Sequence, residues 1–235
     1  MNSFRSKGQP ESDGFRYEKK YLIEGISAKD VISALKRHPS MFSELYPARY
    51  VNNIYLDTPL LSDYFSNVNG NRSRKKVRVR WYHDLFRQVD DALLEFKLKA
   101  GEVGSKEQYP FPSFVANESL TESNFRNIVT ASGLPPGVIQ RLHGLEFAIM
   151  NRYQRWYFAT PGEEFRATVD ANLEFYHLGK LQNRFIISHK EQNYLVLEIK
   201  YAVNNDHKFH RVSSALPFRI TRSSKYIAGI EHVYI

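Results

Sequence analysis

Four segments of the chain alternate between apolar and charged positions: Lys76-Val77-Arg78-Val79-Arg80-Trp81-Tyr82, Leu94-Glu95-Phe96-Lys97-Leu98-Lys99, Phe165-Arg166-Ala167-Thr168-Val169-Asp170 and Val196-Leu197-Glu198-Ile199-Lys200-Tyr201. In an extended chain, residues i and i+2 project from the same face, so each segment carries one apolar face and one ionic face. Further strands are predicted over residues 15–23, 50–57, 106–111, 148–159, 185–188 and 193–201, with 75–82 and 92–100 paired antiparallel. Apolar residues at helical spacing behind a capping hydroxyl predict helices from Ser27 to His38 and from Thr121 to Thr130. Shorter helices are predicted over 59–65 and after Pro135-Pro136, and a closing helix over 223–233. Asn69-Gly70-Asn71 and the stretch 101–105 read as turns, and 213–217 as an interruption. The fold class expected is α+β: about eight antiparallel strands closing into a barrel tunnel, with helices around it and the C-terminal helix near one end.

There is no internal repeat, heptad array or linker, so the 235 residues read as one domain over 15–235 behind a flexible polar tail, 1–14. That tail lacks the apolar core of a signal peptide, and no apolar run approaches the roughly 20 residues of a membrane span. The absence of cysteine excludes disulfides, thiolate catalysis and Cys-ligated zinc. A cytoplasmic protein is expected, with membrane association only through a partner. The eight histidines show no metal-binding spacing and are given no metal role.

Charge changes the picture more than composition does. The net charge of +8 points to an anionic partner: nucleic acid, an acidic membrane face or a small polyanion. Same-face neighbours on a strand lie about 6.6 Å apart, where two like charges repel by about 2.5 kcal/mol at an effective dielectric near 20. Arg78 with Arg80, and Lys97 with Lys99, would each bear that cost. Compensation requires interleaved carboxylates, a bound polyanion, or both. Glu18, Glu95, Asp170 and Glu198 sit on the same faces as the cations, where they can offset part of the field or hold a hard divalent ion. Arginine suits bidentate phosphate recognition and lysine acts as a mobile point charge, a combination that fits phosphoryl transfer. A solvated outer face of an antiparallel sheet shows the same alternation, so periodicity leaves both readings open.

The motifs taken in order carry a resemblance. Arg16-Tyr17-Glu18-Lys19-Lys20-Tyr21, Ile54-Tyr55-Leu56-Asp57-Thr58, the segment from Lys76 to Tyr82, Leu94-Glu95-Phe96-Lys97, Lys106, Asn151-Arg152-Tyr153-Gln154-Arg155, Arg166-Ala167-Thr168-Val169-Asp170, Leu197-Glu198-Ile199-Lys200 and Ser224-Lys225-Tyr226 follow one another along the chain. This series resembles the VTC domain, the catalytic module of polyphosphate polymerase in the triphosphate tunnel metalloenzyme superfamily, from about Arg16 to Ile230. The resemblance implies a metal-dependent enzyme that transfers the γ-phosphoryl group of ATP to a polyphosphate chain inside a basic tunnel. It implies a phosphate-binding and catalytic lining of Lys20, Arg78, Arg80, Lys97, Arg155, Arg166 and Lys225, with Lys106 as a further substrate contact. Glu198 matches the ligand of Mn2+ or Mg2+, and Glu18, Glu95 and Asp170 are acidic support. The partners implied are ATP and polyphosphate, or inorganic triphosphate, and no nucleic acid. No N-terminal helical regulatory domain and no transmembrane domain is seen, so the chain is similar to stand-alone bacterial VTC-domain proteins. Triphosphatases belong to the same superfamily, and a polyphosphate binder without turnover keeps the same lining. Both stand as alternatives. Tyr55 and Asp57 are expected to pack and cap a strand end.

Overall fold

The apolar faces of the alternating segments point outward beneath helices, and their ionic faces point inward. The computed structural model describes residues 16–101, 103–179, 182, 183, 185 and 188–234. The tail expected at 1–14 lies outside the described residues. The strands are β1 (Arg16–Glu24), β2 (Ser43–Asp57), β3 (Ser73–Tyr82), β4 (Gln88–Val89), β5 (Leu93–Ala100), β6 (Val103–Pro110), β7 (Phe114–Val115), β8 (Glu146–Ala159), β9 (Phe165–Tyr176), β10 (Ser188–Glu191) and β11 (Tyr194–Ala202). Eight of them form one antiparallel path, β1-β11-β9-β8-β2-β3-β5-β6, with β10 beside β9, while β4 pairs with β7 outside it.

The path rolls up. Lys97 on β5 lies 2.9 Å from Glu18 on β1, although these strands are near opposite ends of the sheet order. Among the described residues no backbone ladder joins β1 to β6, so the expected eight-strand antiparallel tunnel fold is present with one seam unzipped. The Lys97–Glu18 ion pair reaches across that seam, where no backbone ladder is formed among the described residues.

Two apolar layers cover the outside. Val77, Val79, Trp81, Leu94 and Phe96 bury their side chains under α3 (Glu122–Thr130) and α4 (Pro136–Leu142). Tyr21, Val169, Leu197 and Ile199 do so under α1 (Ala28–Lys36) and α5 (Asp206–Ser214). Ser27 and Thr121 cap as expected: Asp30 N donates to Ser27 Oγ at 3.3 Å and Asn124 N to Thr121 Oγ1 at 3.3 Å. The apolar face of a sheet must be buried against another layer. Here the helices do this from outside, and the interior is left to charge.

Helix α5 was not expected. Only Phe209 and Val212 of its nine residues are buried, and Phe209 stacks on Tyr201 of β11 with centroids 4.7 Å apart. Its stability is tertiary, so local periodicity carries little trace of it. Strand β10 begins where the strand predicted over 185–188 ends; part of that stretch lies outside the described residues.

The C-terminal helix α6 (Lys225–Tyr234) lies across one end of the interior. Its Tyr226 and Ile230 pack with Val51, Tyr55, Ile149 and Tyr153. A Cβ at Gly229 would stand 2.8 Å from Cδ1 of the buried Phe175, so only glycine lets the helix come this close. Helix α2 (Ser62–Val68) is held by Asp57, whose carboxylate accepts from Asp63 N at 3.0 Å, Tyr64 N at 2.9 Å and the Tyr226 hydroxyl. Asp57 thus caps a helix and ties it to α6, close to the strand-end role expected of it.

Candidate functional site

Cross-strand register assembles the ionic side chains into rows. Lys76 on β3 stands opposite Lys97 on β5, which stands opposite Lys106 on β6. Directly opposed residues have Cβ atoms about 4.5–5.5 Å apart, where like charges are destabilising. The adjoining row relieves itself: the Glu95 carboxylate stands between the Arg78 guanidinium and the neutral Gln108 amide. Arg78 Nη2 lies 2.5 Å from Glu95 Oε2, Arg80 Nη1 lies 3.5 Å from Oε1, and Gln108 Nε2 donates to Oε1 at 2.6 Å. Arg80 Nε also donates to Asn53 Oδ1 at 2.9 Å, and Asn53 Nδ2 to Asn151 Oδ1 at 2.9 Å.

On the facing wall, Lys20 Nζ is 3.0 Å from Glu18 Oε1 and 3.5 Å from Glu198 Oε2, and donates to Ser223 O at 3.1 Å. Lys200 Nζ reaches Glu198 Oε1 at 2.7 Å. Deeper, Asp170 is fully buried and receives Arg155 through Nε at 2.6 Å and Nη2 at 2.7 Å, and Lys225 Nζ at 2.6 Å. Lys225 is the first residue of α6, so the plug helix delivers this cation. The Tyr153 ring lies below both cations, 5.2 Å from the Arg155 guanidinium and 4.7 Å from Lys225 Nζ.

The carboxylates are held ionised. Burial, and for Glu18 also the Glu198 charge, pushes their pKa values up, but the neighbouring cations outweigh this. Lys20, Lys97 and Lys200 hold Glu18 at about 2. Arg78 and Arg80 hold Glu95 far below the usual carboxylate range, Arg155 and Lys225 do the same to Asp170, and Lys200 and Lys20 to Glu198. The lysine row responds oppositely. Burial, then Lys20, Lys97 and Arg78, push Lys76 down to about 7, against a pull from Glu18. Burial also pushes Lys97 down, with Lys20 and Lys200 adding to it and Glu18 opposing. For both lysines, burial and like charge outweigh the negative charge nearby, so added negative charge would favour their ammonium forms.

Most of the residues picked from sequence meet here: Lys20, Arg78, Arg80, Lys97, Arg155, Lys225 and, by register, Lys106. Arg166 stands apart. It shares the inward parity of β9, but its guanidinium is exposed and bound to Glu163 at 2.6 and 3.0 Å. Asp170, on the same strand face as Arg166, pairs with Arg155 and Lys225. Tyr55, expected only to pack, also accepts from Arg78 Nη1 at 3.2 Å. Sequence reasoning passed over Lys76, whose Nζ donates to Ser224 Oγ at 2.8 Å, and Tyr153. The signal for both was present: Lys76 continues the parity of Arg78 and Arg80, and Tyr153 that of Arg155. Asn151 Nδ2 and Thr168 Oγ1, both buried without a hydrogen-bond partner, add two donors on the same surface.

No described helix is long and apolar enough to cross a membrane. No curated protein is matched by the sequence. Among solved structures, a candidate adenylate cyclase from Vibrio parahaemolyticus is similar with a TM-score of 0.50 and 11% identity, over 90% of this chain and 95% of that one. A candidate adenylyl cyclase from Hippeastrum, described with a dominant triphosphatase activity, gives a TM-score of 0.49 and 13% identity over 93% and 97%. The first likeness establishes a shared fold. The family model of the VTC domain matches residues 15–234, the span that contains every row described above. The chain belongs to the VTC domain family.

Proposed function

We propose that this chain is a metal-dependent polyphosphate polymerase, which moves the γ-phosphoryl group of ATP onto the end of a polyphosphate chain lying along the inner face. Lys76 and Lys97 carry the reading, because burial and neighbouring cations disfavour their ammonium forms, which a polyanion would restore. Arg78, Arg80 and Arg155 have the planar fork that binds phosphate oxygens in pairs. Lys20, Lys97 and Lys225 offset charge that develops on the attacking and leaving oxygens. Arg166, at the exposed end of β9, would meet phosphate entering the bore.

Glu198, with Glu18 beside it, suits Mn2+ or Mg2+, which take carboxylate oxygens together with substrate phosphate. Both carboxylates are held ionised, as ligands must be. Such an ion would supply charge neutralisation at the transferred phosphoryl group. The depressed carboxylates are poor general bases. A phosphate acceptor is already an oxyanion and needs none, whereas attack by water would benefit from one. This favours phosphate over water as acceptor. The test is product analysis with ATP and Mn2+. Long phosphate chains support the polymerase, and free orthophosphate without chains replaces it with a triphosphatase. Tight polyphosphate binding with no turnover replaces it with a binding protein.

A further inference from the structure

A second cluster lies where β10 meets α6, on the sheet face that this helix covers, beside Leu173 and Phe175. His189 and Glu191 project from the same face of β10, and His232 comes from the last turns of α6. His189 Nε2 stands 3.6 Å from Glu191 Oε2, and His232 Nε2 stands 3.5 Å from the same oxygen. All three ligand atoms fall within 4.8 Å of one another. The imidazoles are stacked, with centroids 4.0 Å apart and planes at 9°.

Two properties separate this group from an ordinary ion-paired surface cluster. First, the separations are longer than the roughly 2.7–3.2 Å of an N–H···O hydrogen bond. They are close to the roughly 3.3 Å expected between two atoms bound tetrahedrally to one ion at 2.0–2.1 Å. Second, the groups are set as ligands. Glu191 is only 7% exposed, and its other oxygen accepts from Asn193 N at 2.7 Å, which fixes the carboxylate. His189 Nε2 is buried with no hydrogen-bond partner. The ring of Phe175, 6.4 Å from His189 and 5.8 Å from His232 by centroids, backs both imidazoles with apolar surface.

We infer that His189, Glu191 and His232 form a binding site for a divalent first-row transition ion, of which Zn2+ best matches the donors, and that the bound ion staples α6 to β10. Two imidazoles and one carboxylate suit Zn2+ with a solvent molecule in the fourth position; they do not suit Mg2+, which prefers oxygen alone. His232 lies two turns along the helix that begins at Lys225, roughly 10 Å away at 1.5 Å per residue. The ion would therefore hold the far end of the helix whose near end presents Lys225 to Asp170.

The experiment is titration of the chelator-stripped full chain with Zn2+ by calorimetry, and with Co2+ by its visible absorption. One equivalent of Zn2+ is expected, uncompeted by Mg2+, with a four-coordinate Co2+ spectrum and a rise in melting temperature. His189→Gln and His232→Gln replace rings that are 38% and 34% exposed, so the fold tolerates them. Each is expected to weaken Zn2+ by at least about tenfold and to abolish the melting shift. Glu191→Gln should behave likewise, with the two histidine variants carrying the test if that buried change prevents folding. Absence of a Zn2+ site in the wild type, or unchanged affinity in either histidine variant, overturns the inference.

Discussion

Replacing Lys76 by methionine tests the lysine row directly. The ammonium of Lys76 has a pKa of about 7 because burial and the charges of Lys20, Lys97 and Arg78 disfavour it. At pH 8 about nine molecules in ten therefore carry it neutral, at pH 7 about half, and at pH 6 about one in ten. A triphosphate placed along the row restores the ammonium, so binding takes up about 0.9 proton at pH 8 and about 0.1 at pH 6 through this group. Calorimetry with tripolyphosphate in buffers of different ionisation enthalpy measures the uptake, and subtraction of the K76M result cancels protons that belong to the ligand. The sign for stability follows from the same shift. The unfolded chain, with a lysine pKa of 10.5, binds more protons than the folded one between about 7 and 10.5, so unliganded stability contributed by this group rises with pH across that window. The full displacement corresponds to at most about 5 kcal/mol below pH 7, lessened by solvent at the half-buried group. The hydrogen bond to Ser224 that K76M forfeits is worth about 1 kcal/mol. K76M is thus expected to be more stable than wild type at pH 7 and to bind tripolyphosphate more weakly. Equal proton uptake by the two proteins at pH 8, or a K76M chain less stable than wild type, refutes the reasoning.

Asp170→Asn leaves Arg155 and Lys225 facing a neutral amide in a fully buried position, and a loss of about 3–5 kcal/mol in denaturant unfolding is expected; a loss under 1 kcal/mol would mean that the cations find other partners. Glu198→Gln is expected to lower Mn2+-dependent turnover at least about tenfold while unfolding free energy falls by about 1 kcal/mol, because Lys20 keeps Glu18 and Lys200 is partly solvated. Equal turnover in that variant removes Glu198 from the metal site. Acid titration of stability should show the Glu18 contribution complete above about pH 4.5 and lost as pH falls towards about 2, since its folded pKa is depressed; a Glu18→Gln variant with the same acid profile would contradict this.

The sheet was legible because strand parity is local. Arg78 and Arg80 on one face, with Val77 and Val79 on the other, mark a strand with two kinds of surroundings whatever the rest of the chain does. What parity leaves open is which face is inside. That depended on helices such as α5, whose Phe209 and Val212 are too few to show a stripe, and on α6, whose close seat depends on Gly229 clearing Phe175. Partner choice was likewise illegible. Asp170 and Arg166 are neighbours in parity, yet the bidentate partner came from β8 and the lysine from α6, more than fifty residues along the chain. The unzipped seam between β1 and β6 has no sequence signature, because the ion pair that spans it joins Glu18 and Lys97, 79 residues apart. The histidine cluster was invisible for the same reason: His189 and His232 come together only when α6 packs beside β10.

The most direct measurement is a crystal structure of the chain with Mn2+ and a non-hydrolysable ATP analogue. The triphosphate is predicted to lie inside the rolled sheet, within hydrogen-bonding distance of Arg78, Arg80 and Lys97, with Mn2+ at Glu198. A nucleotide bound only on the helix-covered exterior, with the inner rows unchanged, would contradict the account.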